Sequence, residues 1–98
     1  LYALIVCSPN HAHEVHVLSA LKAGLHVLAE RPLALNVRGV ERIMAAAEKA
    51  GRIVMVANNH RFRHDAQVLN TFLRGGELGK LVAVRAGSYR RRGPTASW

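Results

Sequence analysis

The organisation of this chain follows from Leu28-Ala29-Glu30-Arg31-Pro32-Leu33-Ala34-Leu35, where an apolar run ends in an acid, a base and a proline. Proline removes a backbone donor and disfavours helical angles at the residue before it, so the strand predicted over 26–29 has to stop there. In open α/β sheets, a loop at the carboxyl end of a strand faces the ligand crevice. Glu30 and Arg31 are therefore the first candidates for a functional site.

Two further apolar runs, at 1–7 and 53–57, flank this strand along the chain. Continuous apolar runs are typical of strands buried on both faces, as in parallel sheets. Helices are predicted between the runs, over 12–23 and 36–50, and Asn36 caps the second one. Short loops in this order of elements predict right-handed parallel βαβ units. The predicted buried helix faces are Val15, Leu18 and Leu21, and then Val40, Ile43, Met44 and Ala47.

The sequence pattern changes near residue 60, which we take as a candidate domain boundary. A third helix is predicted over 65–74, where Gly75-Gly76 breaks it. A longer strand is predicted over 81–90. Its partial alternation of apolar and polar residues indicates that one of its faces is exposed to solvent.

The net charge of +8, from 14 basic and 6 acidic residues, raises the possibility of a nucleic-acid partner. The basic residues are spread along the chain, however, and no aromatic-interleaved RNA-binding motif is present, so we expect no nucleic acid. A solvated surface, an acidic partner segment or a site for phosphorylated or carboxylated ligands would account for the charge.

Composition argues against a membrane segment, a disulfide and a metal site. No run of about 18 apolar residues exists, so no membrane span is expected. The single Cys7 lies at the end of an apolar run and is expected to be a buried, reduced thiol. His60 and His64 have helical spacing but lack a companion acid or cysteine, so no metal site is expected.

Polar clusters follow the three predicted strands. They are Ser8-Pro9-Asn10 with His13, Glu30-Arg31-Pro32, and Asn58-Asn59 with Arg61. Because the carboxyl ends of parallel strands meet at one edge, these clusters are expected to converge on one crevice. A carboxylate can accept from a ribose diol and a guanidinium can donate to an oxyanion, so the ligand is expected to carry hydroxyls and a carbonyl or phosphate.

Together these segments resemble the Gfo/Idh/MocA family of NAD(P)-dependent oxidoreductases, which includes glucose-fructose oxidoreductase and inositol dehydrogenase. Residues 8–13 resemble the family's Thr-Pro-Asn-x-x-His, and residues 20–34 resemble its Ala-Leu-x-x-Gly-x-His-Val-x-x-Glu-Lys-Pro-x-Ala. Asn59-His60-Arg61-Phe62 and Gly76-Glu77-Leu78-Gly79 extend the similarity over essentially all 98 residues. The resemblance implies an α/β fold, with the C-terminal half of a Rossmann-type parallel βαβ sheet at 1–60 and the start of an α+β substrate domain at 61–98.

The resemblance also implies NAD or NADP as cofactor. Glu30 would hold the nicotinamide ribose, and Arg31, the candidate catalytic residue, takes the place of the family lysine. A guanidinium stays protonated, so electrostatic stabilisation or carboxylate binding is expected of it rather than proton transfer. The Arg31–Pro32 bond is expected to be cis, as in the family. The expected cofactor-binding residues are Ser8, Pro9, Asn10, His13, Glu30, Arg31, Pro32 and Asn59.

Some of these residues have structural alternatives. His13 could instead serve the first helical turn, Glu30 could be a solvated loop acid, and Arg61 could form a buried salt bridge or belong to the site.

The function implied is hydride transfer between NAD(P) and a sugar, polyol or related hydroxy compound by a full-length parent. The alternatives are an NAD-dependent glycoside hydrolase of the same family and a non-catalytic binding or assembly module. A homo-oligomer formed through the C-terminal sheet is expected, in the cytoplasm, with an exported parent left open.

The 98 residues hold no G-x-G-x-x-G turn and lack the acid/base pair that the family carries downstream. The chain also begins at Leu1. It is therefore expected to be an excised piece, inactive alone.

Overall fold

Three parallel strands form the sheet at the centre of the first 58 residues. The computed structural model describes residues 1–87, 89 and 91. Strands β1 (Ala3–Val6), β2 (His26–Ala29) and β3 (Val54–Val56) lie in the order β1-β2-β3, and both pairings are parallel. The parallel sheet predicted from the apolar runs is confirmed.

The two connecting helices begin and end where their local sequence predicts. A 3₁₀ turn, Asn10–Ala12, leads into α1 (His13–Lys22), and Gly24 follows the helix with a φ of 74°. Helix α2 (Val37–Ala50) is capped by Asn36, whose Oδ1 accepts from the Gly39 backbone N–H at 2.9 Å. Gly51 ends α2 in the left-handed conformation, with a φ of 60°, which a residue without a β-carbon adopts at little steric cost.

The hydrophobic core lies between the two helices and one face of the sheet. Helix α1 packs against β1, β2 and α2. Burial of these side chains supplies the main driving force for this arrangement, at about 1.5–3 kcal/mol for each large aliphatic side chain. The core consists of Val6, Val17, Ala20, Leu21, Val27, Ala29, Ala34 and Ile43.

The predicted buried faces of the helices are partly wrong. Val15 is 63% exposed, and the buried residues of α1 are His13, Val17, Ala20 and Leu21. In α2, Ile43 is buried as predicted, whereas Met44 is 64% exposed. The cause is the rotation of each helix about its axis. Apolar spacing predicts which residues share one side of the helix, but packing against the sheet decides which side is buried.

Within the first unit, the opposite face of the sheet is apolar and exposed. Alternation along the strands puts Ile5, Leu28 and Met55 on this face, and Ile5 is 67% and Met55 47% exposed. Cys7 shares the parity of Ile5 and is exposed, so the expectation of a buried thiol is wrong.

A side chain links the starts of β2 and β3. The Nδ1 atom of His26 accepts a hydrogen bond from the Ile53 backbone N–H at 3.0 Å. The Tyr2 ring lies against the His26 imidazole, with 4.8 Å between ring centroids. Acceptance requires that Nδ1 carries no hydrogen, so this contact fixes the ring to the tautomer with hydrogen on Nε2.

The chain divides into two compact units, Leu1–Asn58 and Asn59–Trp98. In the second, a 3₁₀ turn (Asn59–Phe62) precedes α3 (His64–Gly75), and Gly76 ends the helix with a φ of 76°. The third predicted helix and its glycine stop are confirmed.

The strand predicted over 81–90 is not formed in residues 81–87, which pair with no strand. A strand needs a hydrogen-bonded neighbour, and the strands among the described residues all pair within the first unit. Residues 88 and 90 lie outside the described residues.

Candidate functional site

The loops that follow β1 and β2 leave the sheet side by side. Val6 and Ala29, the last residues of the two strands, are register partners. The Glu30 backbone N–H donates to the Val6 carbonyl at 2.9 Å, which carries the pairing one step past β2. Residues 7–10 and 30–32 therefore start from one point on the carboxyl edge of the sheet.

His13 joins these two loops. The residue is only 1% exposed and lies in the first turn of α1. The Nδ1 atom lies 2.6 Å from the Pro32 carbonyl oxygen, and Nε2 lies 2.6 Å from the Ser8 carbonyl oxygen. Both ring nitrogens are thus engaged by backbone, so the structure shows a bridging role; a direct contact between His13 and the cofactor stays a prediction.

The loop after β1 is held by more than its backbone. The Ser8 hydroxyl is 2.9 Å from Nδ1 of His16, one turn along α1 from His13. The Ala12 backbone N–H donates to the Pro9 carbonyl at 2.9 Å and closes the 3₁₀ turn that contains Asn10. Ser8 and Asn10 are half-buried and Pro9 is exposed, so this loop presents polar groups to solvent from a fixed backbone.

Glu30 and Arg31 stand at the end of β2 with unused bonding capacity. One oxygen of the half-buried Glu30 carboxylate accepts from the Arg31 backbone N–H at 3.2 Å. The Arg31 side chain is exposed, and its guanidinium makes no hydrogen bond or ion pair with any described residue. The Arg31–Pro32 peptide is cis, as the resemblance predicted. A carboxylate and a guanidinium on adjacent residues can accept from hydroxyls and donate to an oxyanion at the same place.

The sequence did not reveal how closely α1 and α2 approach each other beside this edge. The Glu14 carboxylate pairs with the Arg42 guanidinium at 2.6 Å. Gly39, which lies in the first turn of α2, is buried beside Glu14 and Ala34. A glycine inside a helix is locally unfavourable, and that cost is the signal in the sequence that could have indicated close packing.

Asn59 opens the second unit and is exposed there, so its place in the site stays a prediction. In the same unit Arg63 binds both oxygens of Asp65, at 3.0 and 2.7 Å. That pairing, with a further hydrogen bond from the Ala66 backbone N–H, holds the pKa of Asp65 below its ordinary value.

No helix in the part of the chain that the structure describes is long and apolar enough to cross a membrane. No three histidine, cysteine or acidic side chains in those residues come together as ligands for a metal ion.

The geometry agrees with comparisons to known proteins. Residues 1–58 match the GFO_IDH_MocA model, an oxidoreductase family with an NAD-binding Rossmann fold. The D-glucoside 3-dehydrogenase of Escherichia coli K12 is 38% identical over 88 residues, which is 90% of this chain and 25% of that protein. The myo-inositol 2-dehydrogenase of Thermotoga maritima is 34% identical over 83 residues, 85% of this chain and 25% of that enzyme.

A solved structure extends the comparison to three dimensions. The crystal structure of a probable dehydrogenase from Thermotoga maritima superposes with a TM-score of 0.78 at 34% identity, covering 82% of this chain and 24% of that chain. The chain spans about a quarter of the length of the curated relatives it matches. With the family model matched over 1–58, the chain belongs to the Gfo/Idh/MocA family of oxidoreductases, which have an NAD-binding Rossmann fold.

Proposed function

We propose that the chain is part of a longer NAD(P)-dependent oxidoreductase that transfers a hydride between the nicotinamide and a sugar, polyol or related hydroxy compound. The observation that carries the proposal is the juxtaposition, at one edge of the sheet, of the loop after β1 and the Glu30–Arg31 pair. Two relatives with sugar and polyol substrates in their names support the substrate class.

The residues at this edge fit a nicotinamide nucleotide. One Glu30 oxygen is engaged by the Arg31 backbone N–H, which leaves the other to accept from the nicotinamide ribose diol. Ser8 and Asn10 supply polar contacts from the neighbouring loop, and Pro9 and Pro32 supply apolar walls. His13 contributes by fixing the two loops.

Arg31 acts on the substrate. The bound nicotinamide supplies the hydride acceptor, and oxidation of a secondary alcohol also releases the hydroxyl proton. A guanidinium stays protonated, so Arg31 stabilises the developing negative charge on the substrate oxygen, or binds a substrate carboxylate, and leaves the proton to another group.

We place the cofactor-binding part at 1–60, as the C-terminal half of the Rossmann sheet, and the start of the substrate domain at 61–98. The apolar sheet face that is exposed in the first unit supports the first assignment, since a parallel sheet of this class is covered on both sides. We further propose a cytoplasmic homo-oligomer formed through the sheet of the C-terminal domain. Sedimentation equilibrium of the full-length protein measures the oligomeric state.

Calorimetric titration of the full-length protein with NAD⁺ and NADP⁺ tests the proposal. Glu30→Ala should weaken nucleotide binding by about tenfold, as expected for a lost charge-assisted hydrogen bond, and the exposed helix residue in Glu41→Ala serves as the matched control. Absence of binding to either nucleotide by the unaltered protein would sink the proposal.

Turnover assays separate hydride transfer from other uses of the bound cofactor. An oxidoreductase accumulates reduced nicotinamide when supplied with a panel of sugars and polyols. Product without net nicotinamide turnover would identify a hydrolase instead, and binding without any product would identify a non-catalytic module.

A further inference from the structure

Both ring nitrogens of His13 face hydrogen-bond acceptors. Both partners, the Ser8 and Pro32 oxygens, are backbone carbonyls and can only accept hydrogen bonds. A neutral imidazole has one N–H, so it can donate to one carbonyl and turns a lone pair toward the other. Both contacts are hydrogen bonds only when both ring nitrogens carry hydrogen.

The charged groups on the neighbouring elements are occupied elsewhere. On α1, the Glu14 carboxylate pairs with Arg42, and His16 faces the Ser8 hydroxyl. In the loop after β2, a Glu30 oxygen accepts from the Arg31 backbone N–H. Among the described residues no carboxylate oxygen lies within 4.0 Å of a His13 ring nitrogen, so the ring faces the two carbonyl oxygens without a charged partner there.

The His13 ring also fixes the distance between the loop after β1 and the loop after β2. Past the Glu30–Val6 hydrogen bond, no other bond in the described residues joins the loop after β1 to the loop after β2. Since an imidazole is rigid and this one is buried, it holds the Ser8 and Pro32 carbonyls at one separation. Asn10 and Arg31 stand within two residues of those carbonyls and move with them.

We propose that His13 is a positioning residue: it holds the two loops apart at the spacing required by the nicotinamide half of the dinucleotide. This inference rests on the proposed function, which assigns these loops to the nicotinamide ribose. The adenosine half of the dinucleotide does not contact these two loops in this proposal.

Binding of half-ligands by the full-length protein tests the proposal. His13→Gln, which keeps polarity but cannot span both carbonyls, should weaken NAD⁺ by about tenfold and leave ADP within about twofold, because two hydrogen bonds are lost on one side of the ligand only. The matched control is His11→Gln, since His11 is exposed and makes no hydrogen bond to the described residues. Equal losses for NAD⁺ and ADP would indicate general unfolding and overturn the proposal, as would unchanged affinity for both.

A second measurement does not depend on any variant folding or on nucleotide binding. In the unaltered protein, NMR should show Overhauser contacts from the His13 ring to the loop over 7–10 and to the loop over 30–32. Contacts to one loop alone would overturn the bridge. If the unaltered protein binds neither nucleotide while the ring contacts both loops, the proposed function fails and the bridge stands.

Discussion

A β-carbon placed on Gly39 would lie 2.8 Å from the β-carbon of Ala34, closer than two such atoms approach in folded proteins. Neither atom can rotate away, because each is fixed directly to backbone. The other close neighbour, an oxygen of Glu14 at 2.5 Å from that position, belongs to a side chain that can move. The contact between α2 and the segment before it therefore depends on glycine.

Gly39→Ala should lower the free energy of unfolding by about 1–3 kcal/mol, the usual cost of overpacking, although alanine favours helix by about 1 kcal/mol. Urea unfolding followed by circular dichroism measures this. Gly75→Ala is the matched control, since its new β-carbon would meet only the flexible Glu77 side chain, at 3.3 Å. A more stable Gly39→Ala variant would show that the two segments separate easily.

Neighbouring residues of α2 should respond very differently to truncation. Ile43 is 1% exposed in the core, so Ile43→Ala should cost about 2–5 kcal/mol of unfolding free energy through lost burial and a cavity. Met44→Ala should change it by no more than about 0.5 kcal/mol, because that side chain is exposed. Similar losses in thermal or urea unfolding for the two variants would mean that α2 is rotated from the orientation described.

Asp65 should titrate below its ordinary range. The Arg63 guanidinium is the largest cause of the lowered pKa, and the Ala66 backbone N–H adds to it. A carboxyl whose pKa is lower in the folded state stabilises that state above its unfolded pKa, and this contribution is lost as the pH falls through the folded value. Carboxyl-carbon NMR measures the titration directly.

Arg63→Gln should move the Asp65 midpoint back toward the ordinary value. Arg74→Gln is the control, since Arg74 contacts Asn70 at the far end of α3. An Asp65 midpoint that is the same in both variants would contradict the ion pair.

Arg31→Lys should keep or raise turnover of the full-length enzyme, since either side chain places a positive charge beside the substrate oxygen and lysine can also exchange a proton. Arg31→Ala should lower turnover by roughly a hundredfold, in the range for loss of one electrostatic donor. Steady-state kinetics with saturating nucleotide measures both. Arg38→Ala, on the exposed side of α2, is the control, and equal rates for all the variants would place Arg31 outside the chemistry.

Local signals in the sequence predicted the backbone well. Asn36 and Gly51 mark the two ends of α2 because a cap and a left-handed stop act within one turn of chain. The parallel order of strands followed from the short loops, and the position of Glu30 at the carboxyl edge followed from Pro32. In each case the cause lies within a few residues of its effect.

Features that depend on distant partners were not predicted. Val15 and Met44 have helical spacing but are exposed, and Cys7 is exposed as well. The strand over 81–87 lacks a neighbour. The two carbonyl partners of His13 come from loops 5 and 19 residues away, and no pattern in the sequence states that pairing.

The His26 ring has a different hydrogen-bonding role from the His13 ring. His26 accepts the Ile53 N–H only with a bare Nδ1, whereas His13 makes both of its bonds only with neither nitrogen bare. One sheet thus holds two imidazoles in different roles: the ring at the starts of β2 and β3 accepts from a backbone N–H, whereas the ring at the carboxyl edge faces two backbone carbonyl oxygens.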